Sequence, residues 1–238
     1  MIDQYFDNLY EYSNIGHDTF AFPFGFYWAP VSYITDKHYY VKFIEDKDSP
    51  SGKRLYLKEC DKDCFDSIDH PPIYEYKLES KEILYVSRCK RRLVLNLPCS
   101  IEPLMPPFQD NRLKSNIATV IPIFSLYDHD DEASPKYTPE IIKRIYGCLY
   151  PQFLPLPRKG PFPFVDSFCR VDSITTVKKE YIKPVHIRDK GFVGLSEECH
   201  KFIIQWINWF LGYKVEKEFD DIIRLFRDAA GYNNISSK

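Results

Sequence analysis

Apolar positions along the chain come in short runs, separated by polar stretches that proline punctuates, a pattern of strands and stiff connections more than of long surface helices. After the polar start "MIDQYFDNLYEY", the stretch "FAFPFGFYWAPVSYI" is aromatic and β-branched and carries Pro23, Gly25 and Pro30, which predicts a kinked strand. "KHYYVKFIEDKDSPSGKRLYLKEC" predicts two strands, Tyr39 to Ile44 and Arg54 to Lys58, joined as a hairpin around Ser49-Pro50-Ser51-Gly52. Cys60 to Pro72 reads as an acidic loop, followed by short strands at Ile73 to Leu78 and Ile83 to Val86. Leu93 to Leu97 reads as a buried strand ended by Pro98, although its periodicity alone also fits a buried helical turn. "NIATVIPIFSLY" is a second run with apolar residues for both faces, closed by the acidic "DHDDE".

Helical spacing appears first at Thr138-Pro139-Glu140, an N-cap, an N1 proline and a first-turn acid, which predicts a helix from Pro139 to Tyr146 stopped by Gly147. "YPQFLPLPRKGPFPF" reads as an extended proline-rich connector and "SFCRVDSITTV" as a strand. In "LSEECHKFIIQWINWFLGYK", Ser196 is the expected N-cap, and Cys199, Phe202, Ile203, Trp206, Ile207 and Phe210 form a wide apolar stripe. A further helix from Val215 to Ala230 repeats the pattern with Phe219, Ile222, Ile223 and Phe226, and Gly231 ends it. The short link between them predicts a helical hairpin. "YNNISSK" is a polar end, and no internal repeat is visible.

Composition adds bounds to this picture. A chain of 238 residues fits one decorated domain or two small ones. Its 18 prolines against 9 glycines predict stiff loops, and its 16% aromatics supply large packing units. A net charge of −2 excludes general attraction to nucleic acid or an anionic membrane, so any such binding has to come from a local patch. No apolar run approaches the roughly 20 residues of a membrane span, and the start lacks the basic and apolar regions of a secretory signal, which implies a soluble cytoplasmic protein. Seven cysteines without paired spacing fit reduced thiols.

The local patch is "SRCKRRLVLNLP", where Arg88, Lys90, Arg91 and Arg92 crowd against an aliphatic run. Like charges so close call for an anion, either local acids such as Glu79 and Glu82 or an external phosphate or acidic partner. Tyr74, Tyr76 and Tyr85 lie near in sequence and serve either as strand packing or as stacking surfaces for bases. Cys60 and Cys64 with His70 lack a second Cys/His pair for zinc, and "DHDDE" lacks the glycine and alternating ligands of a calcium loop. His200 reads as a helix-surface residue, and no phosphate-cradling glycine loop or helical His pair is present. No metal or cofactor is expected.

Four segments in order, "FGFYWAPV", "KRRLVLNLP", "TVIPIFS" and "VDSITTVKKEYI" followed by "GFVGLSEECHKFIIQWINWFLG", resemble the MazF/PemK family. The resemblance covers about half of the chain and implies an α+β fold: an SH3-like barrel with an inserted β-hairpin, a short inserted helix and a C-terminal helical hairpin. On that pattern the barrel domain spans 1–213, with insertions at about 31–89 and 127–163, and 214–238 is an extra helix and polar tail.

Nucleases of this family cleave RNA without metal, using the 2′-hydroxyl as nucleophile, and Arg91 aligns with their phosphate-handling arginine. Their threonine aligns with Phe124, which has no polar atom; Ser125 offers a hydroxyl, but strand alternation sends it to the other face. Arg92 replaces the usual proline. The resemblance therefore implies a partner-binding or regulatory protein with an eroded site. Arg88, Lys90 and Arg92 would face RNA or an anionic partner, and Trp206, Trp209 and Phe210 a protein such as an antitoxin-like inhibitor, a transcription regulator or a processing protease. The alternative is an active endoribonuclease toxin using Arg91 and Ser125. A homodimer is compatible with either reading.

Overall fold

The computed structural model describes residues 8–13, 24–32, 39–48, 53–60, 84–98, 117–128, 134–158 and 165–232. Along the chain these form β1 (Tyr10–Ser13), β2 (Phe26–Ser32), β3 (Tyr39–Glu45), β4 (Lys53–Glu59), β5 (Leu84–Val86), β6 (Cys89–Leu97) and β7 (Ile117–Ser125). Then follow α1 (Pro139–Tyr146), β8 (Phe153–Leu156), β9 (Ser167–Arg170), β10 (Thr175–Lys178), β11 (Lys183–Pro184), β12 (His186–Ile187) and β13 (Gly191–Leu195). Helices α2 (Glu197–Phe210) and α3 (Lys217–Ala229) complete the described chain. None of these helices is long and apolar enough to cross a membrane.

The chain divides into two compact units, Met1–Val31 with Arg91–Lys238 as one and Ser32–Lys90 as the other. In the larger unit the strand order is β11-β2-β6-β7-β9-β8, with β10 also on β7, and a second sheet runs β1-β13-β12. The larger sheet starts at β11 and stops at β8, so the described residues close no barrel. The architecture shown is mixed α+β, with antiparallel ladders and three helices among the described residues.

Period-two burial explains the central strands. On β6, Leu93, Leu95 and Leu97 enter one cluster with Ile121 and Ile123 of β7 and the inner faces of α2 and α3. Val94 enters a second cluster with Val120, Ala118 and the buried Tyr27 on the opposite face. Both runs are largely apolar, with Asn96 the buried polar exception on β6, because both faces are covered.

The predicted hairpin forms in the smaller unit as β3 and β4, in register from Tyr39↔Glu59 to Glu45↔Lys53, and β5 pairs on the other side of β3. The residues of this unit whose burial is described are half-buried or exposed. The expected strand Ile73 to Leu78, together with Cys64, His70, Glu79, Glu82 and 129–132 of "DHDDE", lies outside the described residues.

Two local expectations need correction, and one strand lies where none is predicted. "SFCRVDSITTV" is not one strand: β9 and β10 both pair with β7 but are separated by a 3-10 turn at Val171–Ser173. Between Ile123↔Cys169 and Val120↔Thr175 the register advances three positions on β7 and six on its partner. The gap covers Ile121 and Pro122, and a proline has no N–H for a partner strand to lose. The proline-rich connector contains β8, which holds Pro155 within a ladder to β9. It can do so because β8 is an edge strand. The polar start contains β1, whose side chains are half-buried against β13.

Helix α1 has the predicted bounds, and Thr138 Oγ1 accepts a hydrogen bond from the Ile141 N–H at 3.4 Å. Ser196 stands at the N-cap position of α2 without capping; its hydroxyl donates to Cys199 Sγ at 3.3 Å. The end of α3 is tied to α1, where Tyr232 Oη donates to Glu140 Oε1 at 2.9 Å and Arg144 Nε reaches the same oxygen at 2.9 Å. The Tyr232 hydroxyl first, and then Arg144, hold the Glu140 carboxyl below its ordinary range. A carboxylate with a lowered folded-state pKa contributes stability that is complete above its unfolded value and lost as pH falls through the folded one. The melting-temperature difference between wild type and Glu140→Gln is therefore expected to be largest near neutrality and to shrink below about pH 4.3. A difference that stays constant down to strong acid would show that this carboxylate makes no titrating contribution.

Candidate functional site

Alternation along β6 separates the two arginines that the sequence sets side by side. Arg91 is exposed and lies over the Trp28 ring of β2, 5.0 Å from its centroid. Trp28 in turn packs against the larger core cluster. Arg92 is half-buried and lies on the other face, 4.3 Å from the centroid of the Phe124 ring. Such contacts contribute on the order of 0.5–2 kcal/mol, more as water is excluded.

Phe124 is a hub of this second face. Its ring stacks on Phe168 at 5.8 Å, and a second arginine, Arg170 of β9, lies 5.6 Å from its centroid. Asp172 grips Arg170 with two bonds, Nε to Oδ1 at 3.0 Å and Nη2 to Oδ2 at 2.6 Å. This pairing raises the Arg170 pKa further above its ordinary value. The fork-on-fork pair ties the end of β9 to the turn that separates it from β10. Neither Arg170 nor Asp172 stands out in the sequence, since their only signal there is an Arg-x-Asp spacing.

Ser125 is half-buried and its hydroxyl accepts a hydrogen bond from Lys136 Nζ at 2.9 Å. The same ammonium lies 3.4 Å from Asp128. The β6–β7 ladder ends at Val94↔Pro122; counting onward from there, Phe124 is level with Arg92 and Ser125 with Arg91. The structure thus brings together Arg92 with Phe124, Arg91 with Trp28, and Ser125 with Lys136. It does not bring Arg91 onto Phe124.

Arg88 and Lys90 are exposed, belong to the smaller unit and make no ion pair with a described residue. His200 is half-buried, with Nε2 3.0 Å from the Leu195 carbonyl and its ring 4.5 Å from that of Phe24, so it closes the start of α2 and does not stand free on its surface.

The expected aromatic partner surface is corrected. Trp206 is 0% exposed, and its Nε1–H donates to the Pro151 carbonyl at 2.7 Å. Trp209 and Phe210 are half-buried against the core, and Trp209 lies edge-on to Trp206 at 5.3 Å with Arg227 over its ring. The cause is α3, whose Phe219 packs on Phe202, Trp206 and Trp209 and thereby consumes the stripe that α2 presents. No cluster of three or more metal-ligating side chains occurs among the described residues. Compared with known proteins, the chain matches no family model, no curated protein and no solved structure.

Proposed function

We propose that this chain is a partner-binding or regulatory protein of MazF/PemK-like, SH3-type descent whose ribonuclease site has eroded. The observation that carries this reading is the commitment of the two positions where the family's hydroxyl is sought. The Phe124 ring is occupied by Arg92, Arg170 and Phe168, and the Ser125 hydroxyl is occupied by Lys136. Acid–base or phosphate-orienting work needs a polar group free to reach the substrate, and neither position offers one in this arrangement. The exposed Arg91 on its Trp28 platform keeps the geometry of an anion contact, suited to an acidic segment of a protein partner such as an inhibitor-like protein, a transcription regulator or a processing protease.

The second reading, a metal-independent endoribonuclease, draws on the register that sets Ser125 level with Arg91. Incubation of the purified chain with a long single-stranded RNA separates the two. The expected result is intact RNA at high protein concentration, with a stable protein complex recovered from cells. Cleavage that Arg91→Ala abolishes would sink the proposal and establish the nuclease.

A further inference from the structure

Arg92 differs from its basic neighbours in being half-buried. Its Nε–H is enclosed, and among the described residues it has no hydrogen-bond partner and no carboxylate pairs with its guanidinium. Its described contact is the Phe124 ring, which also carries Arg170. Two guanidiniums therefore meet one ring, and among the described residues one carboxylate, Asp172, pairs with them, on Arg170. An aromatic face attracts a cation but does not neutralise it. The excess positive charge sits where water is partly excluded and where an anion is held more strongly than at an open surface.

The geometry narrows the class of anion. Asp172 occupies the Nε–Nη2 edge of Arg170 and leaves Nη1 outside that pair, while the terminal amino groups of Arg92 are not enclosed. Donors from two strands thus lie against the same ring, 4.3 and 5.6 Å from the Phe124 centroid, and a tetrahedral group with several oxygens can serve both forks where one planar carboxylate serves a single fork. Its charge of about −1.5 to −2 also exceeds that of a carboxylate. We infer that Arg92 and Arg170 bind a phosphate group, free or as a monoester, above Phe124 on the face of β6 and β7 opposite Arg91. This site shares Phe124 with the position aligned with the family's threonine and rests on the reading that this position no longer supports cleavage; Arg91, Ser125 and Lys136 take no part in it.

Calorimetric titration of the full chain with inorganic phosphate and with glycerol phosphate, at constant ionic strength, tests the inference. Saturable binding of one equivalent is expected, weakened about tenfold in Arg92→Gln and unchanged in a variant of the exposed Arg188, Arg188→Gln. Asp172→Asn removes the competing carboxylate and is expected to tighten binding, which a generic basic surface would not do selectively. The stronger of the two ligands identifies the source as free phosphate or an ester. Circular dichroism confirms folding of each variant, and Asp172→Asn keeps the test decisive where Arg92→Gln does not fold. Absence of saturable binding, equal loss in Arg188→Gln, or weaker binding in Asp172→Asn would overturn the site. Binding of polyglutamate in place of phosphate would overturn it in favour of an acidic protein ligand.

Discussion

Trp206→Ala is expected to destabilise the chain by about 3–5 kcal/mol, the largest effect of any substitution in the helical hairpin. Its ring is fully buried and lies among Phe202 at 5.8 Å, Trp209 at 5.3 Å and Phe219 at 6.2 Å. Truncation removes the largest packing unit at the meeting of α2 and α3 and leaves a cavity that three rigid rings close poorly. It also strips the Pro151 carbonyl of its donor at 2.7 Å, a cost separate from volume. Trp206→Phe keeps most of the ring and loses the donor, so a smaller penalty of roughly 1–3 kcal/mol is expected. Urea unfolding of the three proteins reads the order directly. Wild-type stability in Trp206→Ala, with partner binding lost, would return this tryptophan to the surface role that its helix stripe suggests.

That contrast marks where sequence reasoning reaches and where it stops. The stripe from Cys199 to Phe210 is legible because helical periodicity is local, and the bounds of α1 follow from one N-cap and one proline. What covers a stripe is not local. The apolar face of α3 was equally visible, but its assignment to the same contact depends on a hairpin geometry that hides Trp206 and half-hides Trp209. The strands show the same division. β3 and β4 announce themselves through turn residues, whereas β8 hides behind Pro155, whose place at an edge is known only once β9 is seen beside it.

The candidate site failed to be fully legible for a related reason. Alternation alone separates Arg91 from Arg92, and this much follows from two adjacent residues in a strand. Whether Phe124 or Ser125 stands opposite Arg91 depends on a pairing register between segments distant in sequence, and a shift of one residue exchanges the answers. Arg170 and Asp172 were out of reach because they meet Phe124 through a turn that splits an expected strand.

Gly147→Ala is expected to lower stability by about 1–3 kcal/mol, although helix propensity argues for the opposite sign. Gly147 ends α1 with φ −78°, a conformation open to any residue, so no backbone strain favours glycine here. The reason is space. A Cβ at this position would stand 2.9 Å from Ala230 Cβ, 3.1 Å from Tyr232 Cδ2 and 3.2 Å from the Lys143 carbonyl oxygen. The contact with Ala230 joins the end of α1 to the end of α3, the same junction that Tyr232 clamps through Glu140. An added methyl has to push these ends apart, because two of the three obstacles are a backbone oxygen and a short side chain with nowhere to rotate. Ala230→Gly in the Gly147→Ala background is expected to restore part of the loss, with a coupling of about 1 kcal/mol in a double-mutant cycle. Recovery stays incomplete because the Tyr232 ring and the Lys143 carbonyl remain in place. Thermal denaturation of the two single variants and the double variant measures the coupling. A raised melting temperature in Gly147→Ala alone would mean that propensity outweighs packing at this junction and that α3 does not close on α1 as tightly as these distances require.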